Sequence, residues 1–131
     1  MNELSSRSHL ILTITVNTYD ERDCSVSSAK LNLVDLAGSE RVKHSQVSGQ
    51  QLVEAGYINK SLYTLAGVVS ALSKPGKKGV VGYRDSSLTK LLSDSLGGNC
   101  KTTLLAMLSP SQEFCQETNN TLGFAFSCKQ I

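Results

Sequence analysis

The chain lacks several things, and each absence removes a class of function. It has no tryptophan, two prolines, and aromatics at 5% of its 131 residues. No run of eighteen apolar residues occurs, so no segment is long and greasy enough to cross a bilayer as a helix. Met1 is not followed by a signal-peptide pattern. The four cysteines, Cys24, Cys100, Cys115 and Cys128, show no C-x-x-C spacing. That argues against a zinc site or a disulfide framework and predicts buried reduced thiols in a reducing compartment. The N-x-[ST] matches at Asn59 and Asn119 fall in helical patterns and are read as chance. One further absence bears on chemistry: no G-x-x-x-x-G-K-[ST] loop is present, so nothing here cradles the α- and β-phosphates of a nucleotide.

What is present points to the other end of a nucleotide. An apolar run from Leu31 to Val34 leads into Asp35-Leu36-Ala37-Gly38-Ser39-Glu40. An acidic residue closing a buried strand, followed by x-x-Gly, suits a terminal-phosphate sensor. The carboxylate holds Mg²⁺ directly or through water, and the glycine lets a bare backbone N–H approach the phosphate. Some thirty residues earlier stands Asn2-Glu3-Leu4-Ser5-Ser6-Arg7-Ser8-His9. Paired hydroxyls and a guanidinium can supply metal, water and charge contacts from a second loop. The chain reads as half of a nucleotide switch.

Charge is uneven beneath a net +2. Residues 41–101 hold nine Lys/Arg against three Asp/Glu, and the remainder four against eight. A basic middle of this kind suits an acidic partner, although an ordinary solvated surface has the same composition.

Hydrophobic content of 40% is enough for a core, and the patterning alternates strand with helix. Leu10, Leu12, Ile14 and Val16 alternate with Ile11, Thr13, Thr15 and Asn17, the period of a strand. Asp20-Glu21-Arg22-Asp23 is a charged turn, and residues 29–36 form a more deeply buried strand, so an antiparallel hairpin is expected. Residues 39–50 lack periodicity. Leu52, Ala55, Ile58, Leu62, Leu65, Val69 and Leu72 then mark one stripe of a long helix, broken by Lys74-Pro75-Gly76. A second helix begins near Asp85-Ser86-Ser87, turns Leu88, Leu91, Leu92 and Leu96 inward, and stops at Gly97-Gly98. Residues 102–108 read as a third apolar strand. Phe114, Thr118, Leu122 and Ala125 trace a last helix. The class is α/β.

Five motifs in one order carry a resemblance. Residues 2–9 and 35–40 resemble switch I and switch II of kinesin motor domains. Glu54-Ala55 with Ile58-Asn59-Lys60-Ser61-Leu62 resembles the long helix that follows switch II. Tyr83-Arg84-Asp85-Ser86, Leu88-Thr89 and Asp94-Ser95-Leu96-Gly97-Gly98-Asn99 resemble the next segment, and residues 118–131 the last motor helix. The resemblance spans residues 1–131 and implies the C-terminal half of a P-loop NTPase motor domain: three strands interleaved with three helices in an incomplete sheet. The family role implied is an ATP-dependent, microtubule-stimulated motor using ATP and Mg²⁺ in the cytoplasm, on the cytoskeleton. Tubulin is the partner it implies, with no nucleic acid or membrane, and an N-terminal half is expected to complete the domain.

Carried over residue by residue, the resemblance places Ser5 and Ser6 at the γ-phosphate, Mg²⁺ and attacking water. Asp35 would hold the metal through water, and the Gly38 N–H would meet the γ-phosphate. Arg7 and Glu40 would form the ion pair that closes the switches. Residues 41–98 would face the microtubule, with Lys60, Lys74, Lys77, Lys78, Arg84 and Lys90 as the cationic footprint, and 102–131 would be the last strand and helix. Three positions depart from the family: Ser87 where Lys is usual, Gly82 where Pro is common, and Gly123 in place of an Arg. Two other readings stand beside the motor. One is a short non-catalytic microtubule-binding product without the phosphate loop. The other is a GTPase-like switch, which shares Asp-x-x-Gly but lacks the N-K-x-D guanine motif.

Overall fold

A computed structural model describes residues 8–39, 50–74 and 80–131, with side chains from residue 56 onward in the first helix. The chain divides into two compact units, Met1–Gly38 and Ser39–Ile131.

The first unit is a hairpin. Strand β1 (Leu10–Asp20) pairs antiparallel with β2 (Ser25–Asp35) over all eleven residues of each. The register sets Leu12 opposite Leu33, Ile14 opposite Leu31 and Val16 opposite Ala29, which gathers the apolar side chains on one face. The other face opposes Thr13 to Asn32 and Thr15 to Lys30, and the Thr13 Oγ1 donates to Asn32 Oδ1 at 2.8 Å. A one-residue slip would exchange the two faces. Four residues, 21–24, connect the strands. Asp20 Oδ1 accepts from the Arg22 N–H at 2.9 Å, Asp23 Oδ1 accepts from Ser25 N–H at 3.0 Å, and Cys24 takes φ 54°. Bonding to Ser25 holds the Asp23 carboxyl below its usual range.

Two expectations about the strands are corrected. The hairpin is exposed along its length rather than buried, with Leu12 at 53% and Leu31 at 55% exposure. Among the described residues β1 and β2 pair only with each other. Residues 102–108, read as a strand from their apolar letters, are exposed and carry no ladder. A strand exists only with a neighbour to hydrogen-bond, and apolar content alone does not supply one.

The second unit is helical. Helix α1 spans Gln50–Leu72, about 34 Å at 1.5 Å per residue. Leu65, Val68 and Val69 are its buried ridge, and they share the core with Leu88 and Leu92. Each such side chain contributes roughly 1.5–3 kcal/mol on burial. A 3₁₀ turn at Tyr83–Asp85 leads into the short helix α2, Ser87–Leu91, which packs on α1. Leu91, expected inward, is 65% exposed. Leu88 in α2 and its C-cap Leu92, four residues apart, are the buried pair, and Leu91 falls on another side. A 3₁₀ turn at Gln112–Phe114 opens helix α3, Cys115–Cys128, which also touches α1 and buries no residue fully. The cysteines are free, as expected, but Cys24, Cys100 and Cys115 are exposed rather than buried. Cys128 is half-buried, and that burial pushes its thiol pKa up.

Gly97 takes the left-handed region, at φ 76°, six residues past the end of α2 at Leu91, so the helix stops well before the Gly97-Gly98 pair expected to end it. A Cβ there would sit 3.0 Å from Leu72 Cδ2 and 3.3 Å from Leu72 Cδ1. Gly97→Ala is therefore expected to lower stability by about 1–2 kcal/mol, from backbone strain with added crowding. Urea denaturation of the two proteins measures it, and equal midpoints would contradict the strain.

Candidate functional site

The hairpin register does more than sort apolar from polar. It pairs Leu10 with Asp35, so the chain entering β1 and the chain leaving β2 lie side by side. His9 directly precedes β1, and Leu36-Ala37-Gly38 directly follows β2. Across this end the Ala37 N–H donates to His9 Nδ1 at 3.0 Å. The bond links residues 28 apart in sequence and joins the last residue of the first motif to the interior of the second. Ala37 is buried, with 5% exposure, so its N–H needs this acceptor.

An accepting Nδ1 fixes the imidazole as neutral, with its proton on Nε2. Burial acts in the same sense and lowers the His9 pKa below its ordinary value. Protonation would turn the acceptor into a donor aimed at another donor.

Asp35 is exposed at the last position of β2, and Gly38 is half-buried three residues on. Carboxylate and backbone N–H thus emerge from the same short stretch that His9 holds. Asp35 offers hard oxygen donors of the kind Mg²⁺ takes. Ser5, Ser6, Arg7 and Glu40 lie outside the described residues, as do Lys77 and Lys78. The remaining proposed cations are all exposed in the second unit: Lys60 on α1, Lys74 just past its end, Arg84 in the 3₁₀ turn and Lys90 on α2. Packing of α2 and the 3₁₀ turn on α1 makes one body of these elements. Among the described residues, no group of three or more His, Cys, Asp or Glu could hold a metal.

Sequence reasoning named Asp35 and Gly38 but not His9 as a site residue. The available signal was a histidine immediately before a strand whose partner strand ends in the second motif.

The lowered His9 pKa has a definite sign. A folded-state pKa below the unfolded value contributes stability that is present above the unfolded pKa and lost as pH falls through the folded one. His9→Phe, which keeps a ring but no acceptor, should cost roughly 1–3 kcal/mol at about pH 8 by orphaning the buried Ala37 N–H. The difference from wild type should shrink on acidification below about pH 6.5. His9→Asn, with an acceptor at nearly the same reach, should recover part of the loss. Urea midpoints of the three proteins across that range check this, and a pH-independent gap would contradict it.

Comparison with known proteins follows the same lines. The family model described as the kinesin motor domain matches residues 1–131. The Kinesin-like protein bimC of Emericella nidulans is 49% identical over 133 residues, covering 99% of this chain and 11% of that protein. The Kinesin-like protein KIN-14I of Oryza sativa subsp. japonica is 50% identical over 125 residues, covering 95% of this chain and 10% of its own length. Among solved structures, a KIF14 dimer in a two-heads-bound state, with AMP-PNP and in complex with a microtubule, superposes with a TM-score of 0.90 at 42% identity. It covers 96% of this chain and 37% of the other. The motor and motor homology domain of Kar3Vik1 gives 0.85 at 45% identity, over 97% of this chain and 34% of that one. This chain thus spans about a tenth of the length of the curated relatives and about a third of the solved chains. The chain belongs to the kinesin motor-domain family.

Proposed function

We propose that this chain is the phosphate-sensing and track-facing part of an ATP-driven microtubule motor. The observation that carries the reading is the superposition, at a TM-score of 0.90, on a relative solved in complex with a microtubule and AMP-PNP. It is supported by the switch-like motifs at 2–9 and 35–40, of which His9 and Ala37, as described, are joined by a hydrogen bond beside the Leu10–Asp35 pair.

Bound Mg²⁺ would supply neutralisation of the charge that develops on the terminal phosphate. The chain's own part is positioning. Asp35 would orient a metal-bound water, and the Gly38 N–H would donate to the γ-phosphate oxygen. Ser5 and Ser6 would hold the attacking water and the metal, with Arg7 and Glu40 paired to close the two motifs. His9, by fixing Ala37, keeps the backbone beside Gly38 from drifting. Residues 39–49 join Gly38 to α1 and would pass a change at the phosphate to the helix that grips the track. Both switches depend on a phosphate loop that these 131 residues do not contain, so hydrolysis by them alone is not expected.

Lys60, Lys74, Lys77, Lys78, Arg84 and Lys90 would form the footprint on the acidic tubulin surface, and the protein would then act on the cytoplasmic cytoskeleton. A non-catalytic microtubule-binding product shares this footprint and differs only in having no nucleotide turnover. The GTPase-like reading is set aside by the family match over residues 1–131.

Co-sedimentation with microtubules tests the footprint. Affinity should fall steadily with ionic strength, and replacing Lys74, Lys77 and Lys78 together by Ala should weaken it about tenfold or more at low salt. Binding that ignores both salt and the triple substitution would overturn the assignment.

A further inference from the structure

Thr89 is the buried polar residue of the described core, with 0% exposure on α2. Its Oγ1 lies 2.8 Å from the Tyr83 carbonyl, 2.8 Å from Ser86 Oγ and 3.1 Å from the Ser86 carbonyl. A threonine hydroxyl has one hydrogen to give and two lone pairs. The shorter carbonyl contact assigns that hydrogen to Tyr83, which leaves Thr89 Oγ1 to accept from the Ser86 hydroxyl. Ser86 Oγ in turn accepts from the Thr89 N–H at 3.1 Å and caps α2. Tyr83 is held at its other end, where its hydroxyl donates to the Leu96 carbonyl.

The consequence concerns two neighbours that are not buried. Arg84 directly follows the Tyr83 carbonyl, and Lys90 directly follows Thr89; both are exposed. One hydroxyl therefore ties together the backbone just ahead of each cation. Helix α2 has five residues, far below the length at which a helix holds itself, so propensity cannot fix this spacing. Gly82, on the approach to the 3₁₀ turn, adds no rigidity of its own. Among the described residues the polar network and the Leu88 and Leu92 anchors do that work.

We propose that Thr89 is a positioning residue for track binding: through its bonds to Tyr83 and Ser86 it sets the separation of Arg84 and Lys90 on the surface that meets the microtubule. This rests on the track-facing role assigned to those two cations above. A flexible pair would lose side-chain and backbone freedom on docking, and a prearranged pair has already lost it.

The test is microtubule co-sedimentation of the protein as a function of salt. Thr89→Val keeps the shape and removes the hydroxyl, and should weaken binding about threefold to tenfold at low salt, with a shallower salt dependence. Thr89→Ser restores the hydroxyl and should bind within about twofold of wild type. In a background carrying Arg84→Gln and Lys90→Gln, Thr89→Val should weaken binding no further, because the groups it positions are gone. A general loss of structure would instead add to that background, and such additivity overturns the proposal. Wild-type affinity for Thr89→Val overturns it too. If Thr89→Val does not fold by circular dichroism, Thr89→Cys, a weaker donor of similar size, replaces it with the same expected order. The double glutamine variant separates the two readings. Should it bind as wild type does, the track-facing role of Arg84 and Lys90 fails and this proposal falls with it. Should it bind weakly while Thr89→Val does not, only the positioning role fails.

Discussion

The register of one hairpin governs how the two ends of its strands meet in the first unit. Pairing Leu10 with Asp35 puts residue 9 beside residues 36–38, and the bond from the Ala37 N–H to His9 follows from that placement. Slip the strands by one residue and the apolar face turns over, Asp35 changes sides, and the bond cannot form. The cross-strand pairs Leu12 with Leu33 and Ile14 with Leu31 hold the register, and since all four are exposed their value is in alignment. Among the described residues each strand pairs only with the other, so both are edge strands.

In the second unit, exposed cations sit on a backbone that is tied down from beneath. Helix α1 is long enough to be a rigid support, and α2 is not. The shorter helix borrows order from Leu88 and Leu92 packed against α1, and from the hydroxyl chain of Ser86 and Thr89. Cationic heads at Arg84 and Lys90 remain in water while the backbone beneath them is tied down. A surface that binds an acidic partner gains from this arrangement, since exposed ion pairs are individually weak and depend on little freedom being lost.

Much of this was legible in the letters. The period of two in residues 10–17 and the spacing of Leu65, Val69 and Leu72 gave strand and helix, because those patterns reflect one-sided burial directly. Val68 escaped the stripe, since a ridge at three and four also admits the adjacent position. Leu91 and residues 102–108 misled for a shared reason: an apolar letter reports what a residue would gain from burial, not whether a partner is there. At the site, Asp35 and Gly38 were legible as a motif with a chemical rationale. His9 was not, because a bond across 28 residues exists only once the register is known. Thr89 was invisible as well, since a threonine on a short helix is ordinarily a solvated one.

The claim on which the account turns is that His9 holds the Ala37 backbone at the end of the hairpin. Amide hydrogen exchange at Ala37 reads it directly, residue by residue, as pH is lowered. The account predicts strong protection at about pH 7.5, lost as His9 takes up a proton below about pH 6.5, while amides within the strands stay protected. Exchange at Ala37 as fast as in an open chain at neutral pH, or protection indifferent to pH through that range, would contradict it.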